Sequence, residues 1–294
     1  MSDAGAGRAA ERRPRRAAYA LPALFTAGNL FLGFLSVLQS FEGVMLAKSG
    51  ELGFNPHFRL AAICIGTAVF LDGLDGWIAR MTNTVSAFGR ELDSLADVIT
   101  FGVAPAVLAF SWGIAFVDGS SAVHLQDHIR RAGYFFSFLF LLCGAARLAR
   151  FNIQTDPVPK NPGPPGRKYF VGLPIPAAAG MVASVTYAAG STPIEWWPLS
   201  VAWLGLLALL SLLMVSTWRY RSFKDLNLLR PRSPRTVVVL GSLIYLIWNY
   251  SQIVLVAMAT AYVGSGIVVR VGGVVRRRFH PHPAPPGPAV ESSA

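Results

Sequence analysis

The sequence predicts an all-α polytopic membrane protein. Hydrophobic residues make up 53% of its 294 residues and charged residues only 14%, and the mean hydropathy is +0.47. Soluble globular domains carry about 25% charged residues, so this chain has too few to cover a water-exposed surface. Its apolar residues also occur in runs of the length that a helix needs to cross a hydrocarbon core of about 30 Å.

The apolar runs predict eight transmembrane helices. In chain order the spans are 21–46, 58–80, 89–117, 131–148, 176–189 and 196–218, followed by two short spans within 236–271. As one helix, that last stretch would be about 54 Å long at 1.5 Å per residue, which exceeds one crossing. We therefore divide it near Asn249, Tyr250 and Ser251. The predicted parts of the chain are a disordered basic tail, a membrane core, two added helices and a disordered C-terminal tail, at 1–18, 19–235, 236–271 and 272–294.

Basic residues predict the orientation of these spans. Five arginines precede the first span, and ten lysines and arginines lie in the segments 150–170 and 219–235. The loops on the other side carry few, chiefly Lys48 and Arg130. The positive-inside rule therefore places both termini in the cytoplasm, as expected of a multi-pass protein of the cell inner or plasma membrane. The net charge of +11 fits anchoring beside anionic lipid and argues against nucleic-acid binding.

Four aspartates lie where the second span ends and the third begins. Asp72 and Asp75 are three residues apart and Asp93 and Asp97 four apart, so each pair lies on one face of its helix. Because the two helices are antiparallel neighbours, both pairs lie at one depth, near the cytoplasmic face. Ionised carboxylates at membrane depth are costly, and their presence there indicates a functional site.

Converging carboxylates of this kind fit two divalent cations, either Mg²⁺ or Mn²⁺, because both ions prefer oxygen ligands. Zinc is disfavoured, since the stretch contains neither His nor Cys. Arg80 adds a planar fork of donors suited to phosphate. Paired metals with an arginine indicate phosphoryl transfer. The alternative is an ion or solute transporter that uses the same acids, although the sequence shows no inverted repeat.

The spacing around this stretch resembles the complete signature of the CDP-alcohol phosphatidyltransferase family. The matching positions are Asp72, Asp75, Gly76, Ala79, Arg80, Gly89, Asp93 and Asp97. The resemblance implies the family's six-helix core, followed here by two C-terminal transmembrane helices. It implies that Asp72 and Asp93 bridge two metals, that Asp75 and Asp97 each complete one, and that Asp97 is also the general base. It further implies nucleotide contacts from Thr26, Asn29, Gly76, Ala79, Arg80, Ser86 and Gly89.

Three other strings resemble the branch of this family that uses serine as acceptor. They are residues 94–105, 147–152 and 172–176. This likeness implies CDP-diacylglycerol and L-serine as substrates, with phosphatidylserine and CMP as products. Arg147, Arg150 and Asn152 are candidate serine contacts, because the serine carboxylate needs cationic or amide donors. The positive-inside rule would also place arginines here.

Two questions remain open at this point. The acceptor could instead be inositol phosphate or glycerol phosphate, because the arginines near residue 150 do not exclude a phosphorylated alcohol. Dimerisation is common in the family that the chain resembles, so a homodimer is compatible with the resemblance, but nothing in the sequence identifies an interface.

Overall fold

The computed structural model describes residues 16–50, 53–82, 87–118, 123–155, 169–221 and 234–279. The helices are α1 (Arg16–Lys48), α2 (Pro56–Thr82), α3 (Ala87–Asp97), a π-helix (Val98–Val103), α4 (Ala104–Gly113), α5 (Val123–Thr155), α6 (Ile175–Ala188), α7 (Trp197–Val215) and α8 (Pro234–Phe279). Two three-residue strands, β1 (Tyr169–Val171) and β2 (Arg219–Arg221), pair antiparallel.

The described residues contain six helical segments that are long and apolar enough to cross a membrane. These are Leu24–Lys48, Pro56–Leu74, Phe88–Gly113, His124–Ile153, Trp197–Val215 and Ile244–Val268, and α6 is a shorter apolar helix. The prediction of an all-α, multi-pass membrane protein is confirmed. The fourth predicted span, 131–148, lies inside the longer α5, because this helix continues through polar residues at both ends of its apolar centre.

The first two helices form an antiparallel hairpin that Asn55 holds at its turn. The Asn55 side-chain oxygen accepts hydrogen bonds from the backbone N–H groups of His57, at 3.1 Å, and Phe58, at 3.3 Å. Its amide nitrogen donates to the carbonyl oxygen of Gly43 at 2.9 Å. Asn55 therefore caps α2, which has proline as its first residue, and ties its start to α1.

The third span contains a π-helix immediately after Asp97. Here the backbone N–H of Ala104 reaches the carbonyl of Ile99, five residues back. Such segments are rare and occur often at functional sites. Thr100 within it donates its hydroxyl to the carbonyl oxygen of Asn29 in α1 at 3.1 Å. The backbones approach closely at this point, because a Cβ on Gly33 would lie 2.7 Å from Thr100 Cα.

We expect Gly33→Ala to lower the thermal stability of the protein, because the added methyl group meets backbone that cannot move aside. Overpacking of this kind costs about 1–3 kcal/mol. Gly28→Ala in the same helix is the matched control, since a Cβ there has no described packing neighbour within 4 Å. Melting of the two purified variants in detergent would measure the difference, and equal melting temperatures would contradict the close packing of α1 on the π-helix.

The last helix bends at Tyr250, whose backbone angles are φ −133° and ψ 39°. The bend coincides with the predicted division of residues 236–271, although one apolar stretch, Ile244–Val268, crosses it. After the bend, α8 packs along α6: the hydroxyls of Ser251 and Tyr187 are 3.0 Å apart, and Thr260 lies 3.9 Å from Met181 Sδ. The assignment of two separate spans to this segment stays a prediction.

Candidate functional site

Three of the four predicted acids meet at one end of the helix bundle. Asp72 of α2 and Asp93 and Asp97 of α3 each offer a carboxylate oxygen, and these oxygens lie within 4.8 Å of one another. All three side chains are half-buried. The four-residue spacing on α3 and the antiparallel course of α2 bring them together, as predicted. Asp75 is one turn further along α2, and its side chain lies outside the described residues.

The first helix adds two polar side chains to this cluster. The hydroxyl of Thr26 donates a hydrogen bond to the Asp93 carboxylate. Asn29, one turn further on, is fully buried, and neither its amide nitrogen nor its amide oxygen has a hydrogen-bond partner among the described residues. A buried amide without partners costs about 1–3 kcal/mol, so we expect a ligand or a side chain outside the described residues to complete its hydrogen bonding. This observation supports the predicted nucleotide contact.

Arg147 of α5 brings a positive charge to the acids. It is 8% exposed, and the charges that act on it include those of Asp97 and Asp72. Its guanidinium carbon lies 5.7 Å from the centre of the Phe151 ring, and its Nε has no hydrogen-bond partner among the described residues. A buried arginine with free donor capacity beside an acidic cluster is well placed to bind an anionic substrate group.

Arg150 has a different environment, one helical turn away. Its guanidinium donates to the carbonyl oxygens of Val215, Val171 and Ser216 at 3.2, 3.3 and 3.4 Å. These bonds join the end of α7 to β1, beside Gly172, which adopts the positive φ of +80°. A Cβ on Gly172 would lie 2.4 Å from the Met214 carbonyl oxygen, so only glycine fits this turn.

Of the remaining predicted residues, the structure describes Asn152 and Gly89. The Asn152 amide donates to the Ser94 hydroxyl of α3 at 2.9 Å, which ties the end of α5 to the acid-bearing helix. Gly89 lies half-buried in the first turn of α3. The side chains of Ala79 and Arg80, together with Gly76, belong to the part of α2 whose side chains are not described, and Ser86 lies outside the described residues.

The donor set fits a hard divalent cation. Three carboxylates from two helices converge, and oxygen is their only ligand atom. Three clustered negative charges with a single described arginine beside them would repel one another without a further cation. The acidic cluster is thus a candidate metal centre.

Sequence reasoning missed Tyr262, from the C-terminal helix. This half-buried tyrosine lies close enough to Arg147 for the two groups to interact electrostatically, and the next residue, Val263, is only 5% exposed. The part of α8 after the bend therefore packs against the site. A single tyrosine in a long apolar run carries no distinguishing pattern, so the sequence offered no signal for this contact.

Comparison with known proteins identifies a family and several relatives that this chain resembles in sequence. The sequence profile described as CDP-alcohol phosphatidyltransferase matches residues 19–215. A CDP-diacylglycerol–serine O-phosphatidyltransferase of Helicobacter pylori is 36% identical over 209 residues, covering 71% of this chain and 75% of the relative. One of Bacillus subtilis is 35% identical, covering 69% and 91%. An archaetidylserine synthase of Methanothermobacter thermautotrophicus is 38% identical, covering 56% and 57%. The matched profile ends before α8.

Proposed function

The chain belongs to the CDP-alcohol phosphatidyltransferase family, and on that premise we propose that it transfers the phosphatidyl group of CDP-diacylglycerol to the hydroxyl of L-serine. The products are phosphatidylserine and CMP. The observation that carries the proposal is the convergence of Asp72, Asp93 and Asp97 beside the buried Arg147. Serine as acceptor is supported by the names of the relatives.

Asp97 is the group we assign to proton transfer. Its carboxylate accepts the proton of the serine hydroxyl, and the serine oxygen forms a bond to the phosphorus that carries the diacylglycerol oxygen. The bond from that phosphorus to the bridging oxygen of the pyrophosphate breaks, and its electron pair leaves with CMP. Arg147 lies close enough to Asp97 for the two charges to interact.

Asp72, Asp75, Asp93 and Asp97 are the residues that would hold two divalent cations, Mg²⁺ or Mn²⁺. When bound, such cations neutralise the pyrophosphate and the charge that develops on the leaving CMP. Thr26 orients the Asp93 carboxylate through its hydrogen bond. The amide of Asn29, for which the described part of the chain provides no partner, offers a donor and an acceptor to the nucleotide. Arg80, Gly76, Ala79, Ser86 and Gly89 complete the proposed CDP contacts.

The two arginines have separate roles in this proposal. Arg147 binds the serine carboxylate, because it is buried beside Asp97 and no described residue accepts a hydrogen bond from its Nε. Arg150 joins β1 to the end of α7 through its bonds to carbonyl oxygens, and Asn152 joins the end of α5 to α3 through Ser94. Both are positioning residues.

The basic segments of the chain also indicate on which side of the membrane the proposed site lies. The basic segments at 150–170 and 219–235 lie in sequence next to the helix ends that carry the cluster, so we place the site and both termini in the cytoplasm. This arrangement gives serine access from water, while the diacylglycerol chains of the donor stay in the bilayer.

We expect Arg147→Ala to raise the KM for serine by about 10- to 100-fold, because a charged hydrogen bond contributes about 1.5–3 kcal/mol. The KM for CDP-diacylglycerol should change much less. Arg150→Ala is the comparison variant: it should lower the melting temperature through the lost carbonyl bonds and change the KM for serine less. Equal KM values for serine in wild type and Arg147→Ala would remove this arginine from the acceptor site.

An acceptor screen tests the proposed function directly. Purified protein would be incubated with CDP-diacylglycerol and, in separate reactions, radiolabelled serine, inositol phosphate and glycerol phosphate. Labelled lipid should form with serine alone. If labelled lipid formed from a phosphorylated alcohol but not from serine, the acceptor assignment would be wrong and the proposed transfer reaction would stand. If no acceptor gave labelled lipid, the result would contradict the proposal.

A further inference from the structure

A second concave site lies at the end of the bundle opposite the acids. It is a groove of about 440 Å³ between α1, α4 and α5, bounded by residues from Lys48 and Arg130 at its mouth to Val103 and Leu141 at its deep end. This volume is within the range of about 300–1,000 Å³ that is typical of ligand sites. Along α1, Lys48 is about 33 Å from Thr26 of the acidic cluster, at 1.5 Å per residue, so the groove and the cluster belong to opposite membrane faces.

The walls of the groove are apolar. Phe110 of α4 and Tyr134 of α5 stack in it, with ring centres 4.7 Å apart and an angle of 16° between the planes. Phe41 and Phe138 line it as well, and each is 58% exposed, so the groove opens sideways towards lipid. A hydrocarbon chain can enter from the bilayer without crossing water.

Both charged residues of the described groove lining are basic, and they lie at its mouth. Lys48 and Arg130 line it, and neither forms an ion pair with another described residue. The acidic residues nearest to them in their own helices, Glu42 and Asp127, do not line the groove. Cations are disfavoured on this face by the positive-inside rule, so two of them at one groove indicate an anionic partner.

A buried hydroxyl lies between these two regions. Ser137 is 8% exposed and lines the groove, and its Oγ has no hydrogen-bond partner among the described residues. Along α5 it is about 10 Å deeper than Arg130. A glycerophospholipid carries its ester carbonyls between its phosphate and its acyl chains, so the hydroxyl lies at a depth where it can donate to an ester.

We propose that this groove binds an anionic glycerophospholipid from the leaflet opposite the acidic cluster. The phosphate lies between Lys48 and Arg130, an ester carbonyl accepts from Ser137, and one acyl chain fills the space beside Phe110 and Tyr134. A second copy of the chain fits the charge less well, because a two-fold interface would bring each pair of cations towards its own equivalent.

Native mass spectrometry of the 294-residue protein in detergent tests the proposal. Phosphatidylglycerol and phosphatidylcholine with identical acyl chains are the probes, and EDTA is included so that the acidic cluster repels phosphate. Wild type should retain one phosphatidylglycerol at least tenfold better than phosphatidylcholine. The double variant Lys48→Gln/Arg130→Gln should lose that preference. Arg131→Gln is the matched control, since Arg131 is exposed, adjacent and not part of the groove lining.

Filling the groove provides the second measurement. Val107→Trp places an indole in the groove and should reduce retention of both lipids. If the tryptophan variant does not fold, the milder substitution Ser137→Ala replaces it in this measurement. Unchanged lipid preference in the double variant, or an equal loss in Arg131→Gln, would overturn the proposal. It would also be overturned if Val107→Trp kept its lipid and dissociated a dimer, because the groove would then be a protein interface.

Discussion

Asp97→Asn should abolish turnover while binding of CDP-diacylglycerol persists. Asparagine keeps the shape of the side chain but cannot accept the proton of the acceptor hydroxyl. A positioned general base contributes about 10²–10⁴-fold to the rate, and the lost metal ligand adds to the deficit. CMP release under saturating substrates measures the rate, and retention of labelled CDP-diacylglycerol measures binding.

The control for this variant lies on the same helix. Glu91 is an exposed acid of α3 outside the cluster, so Glu91→Gln removes one negative charge without touching the site. Its rate should match wild type. A rate for Asp97→Asn within tenfold of wild type would show that the base is another group.

Removal of divalent cations should abolish activity, and Mn²⁺ or Mg²⁺ should restore it. The expectation follows from three carboxylates whose oxygens lie within 4.8 Å, since they need positive charge before a pyrophosphate can approach. Activity in EDTA, followed by titration with each metal, measures the dependence.

Binding can be separated from catalysis in that experiment. A ligand that binds only the folded state stabilises it, so Mn²⁺ should raise the melting temperature of wild type. The increase should be absent from an Asp72→Asn/Asp93→Asn variant and present in Glu91→Gln. Full activity in excess chelator would contradict the metal centre.

The convergence of the acids could be predicted because it depends on local rules. Spacings of three and four residues place each pair on one helix face, and a short connection between two apolar spans makes the helices antiparallel neighbours. The structure confirms this for Asp72, Asp93 and Asp97. The family resemblance, which rests on the same residues, is confirmed by the profile match over residues 19–215.

The environments of Arg147 and Arg150 could not be predicted in the same way. Both are arginines near the end of α5, three residues apart. The charge pattern of the sequence therefore predicts the same environment for both. Packing separates them: Arg147 faces the acids and is buried, whereas Arg150 meets the carbonyl groups of β1 and the end of α7. That difference depends on segments more than 20 residues away in the chain, so no local pattern contains it.

The amino-acid sequence by itself determined the membrane class of the protein, the acid-bearing pair of helices and the family, because hydropathy and helical spacing are local properties. Only the tertiary structure decided which arginine meets the acids, that Asn29 is buried with no hydrogen-bond partner among the residues described, and that α8 packs against the site through Tyr262. It also formed the groove at the opposite face from three helices. The physical reason is that helix rotation and close approach, such as that of Gly33 to Thr100, are set by packing between distant segments.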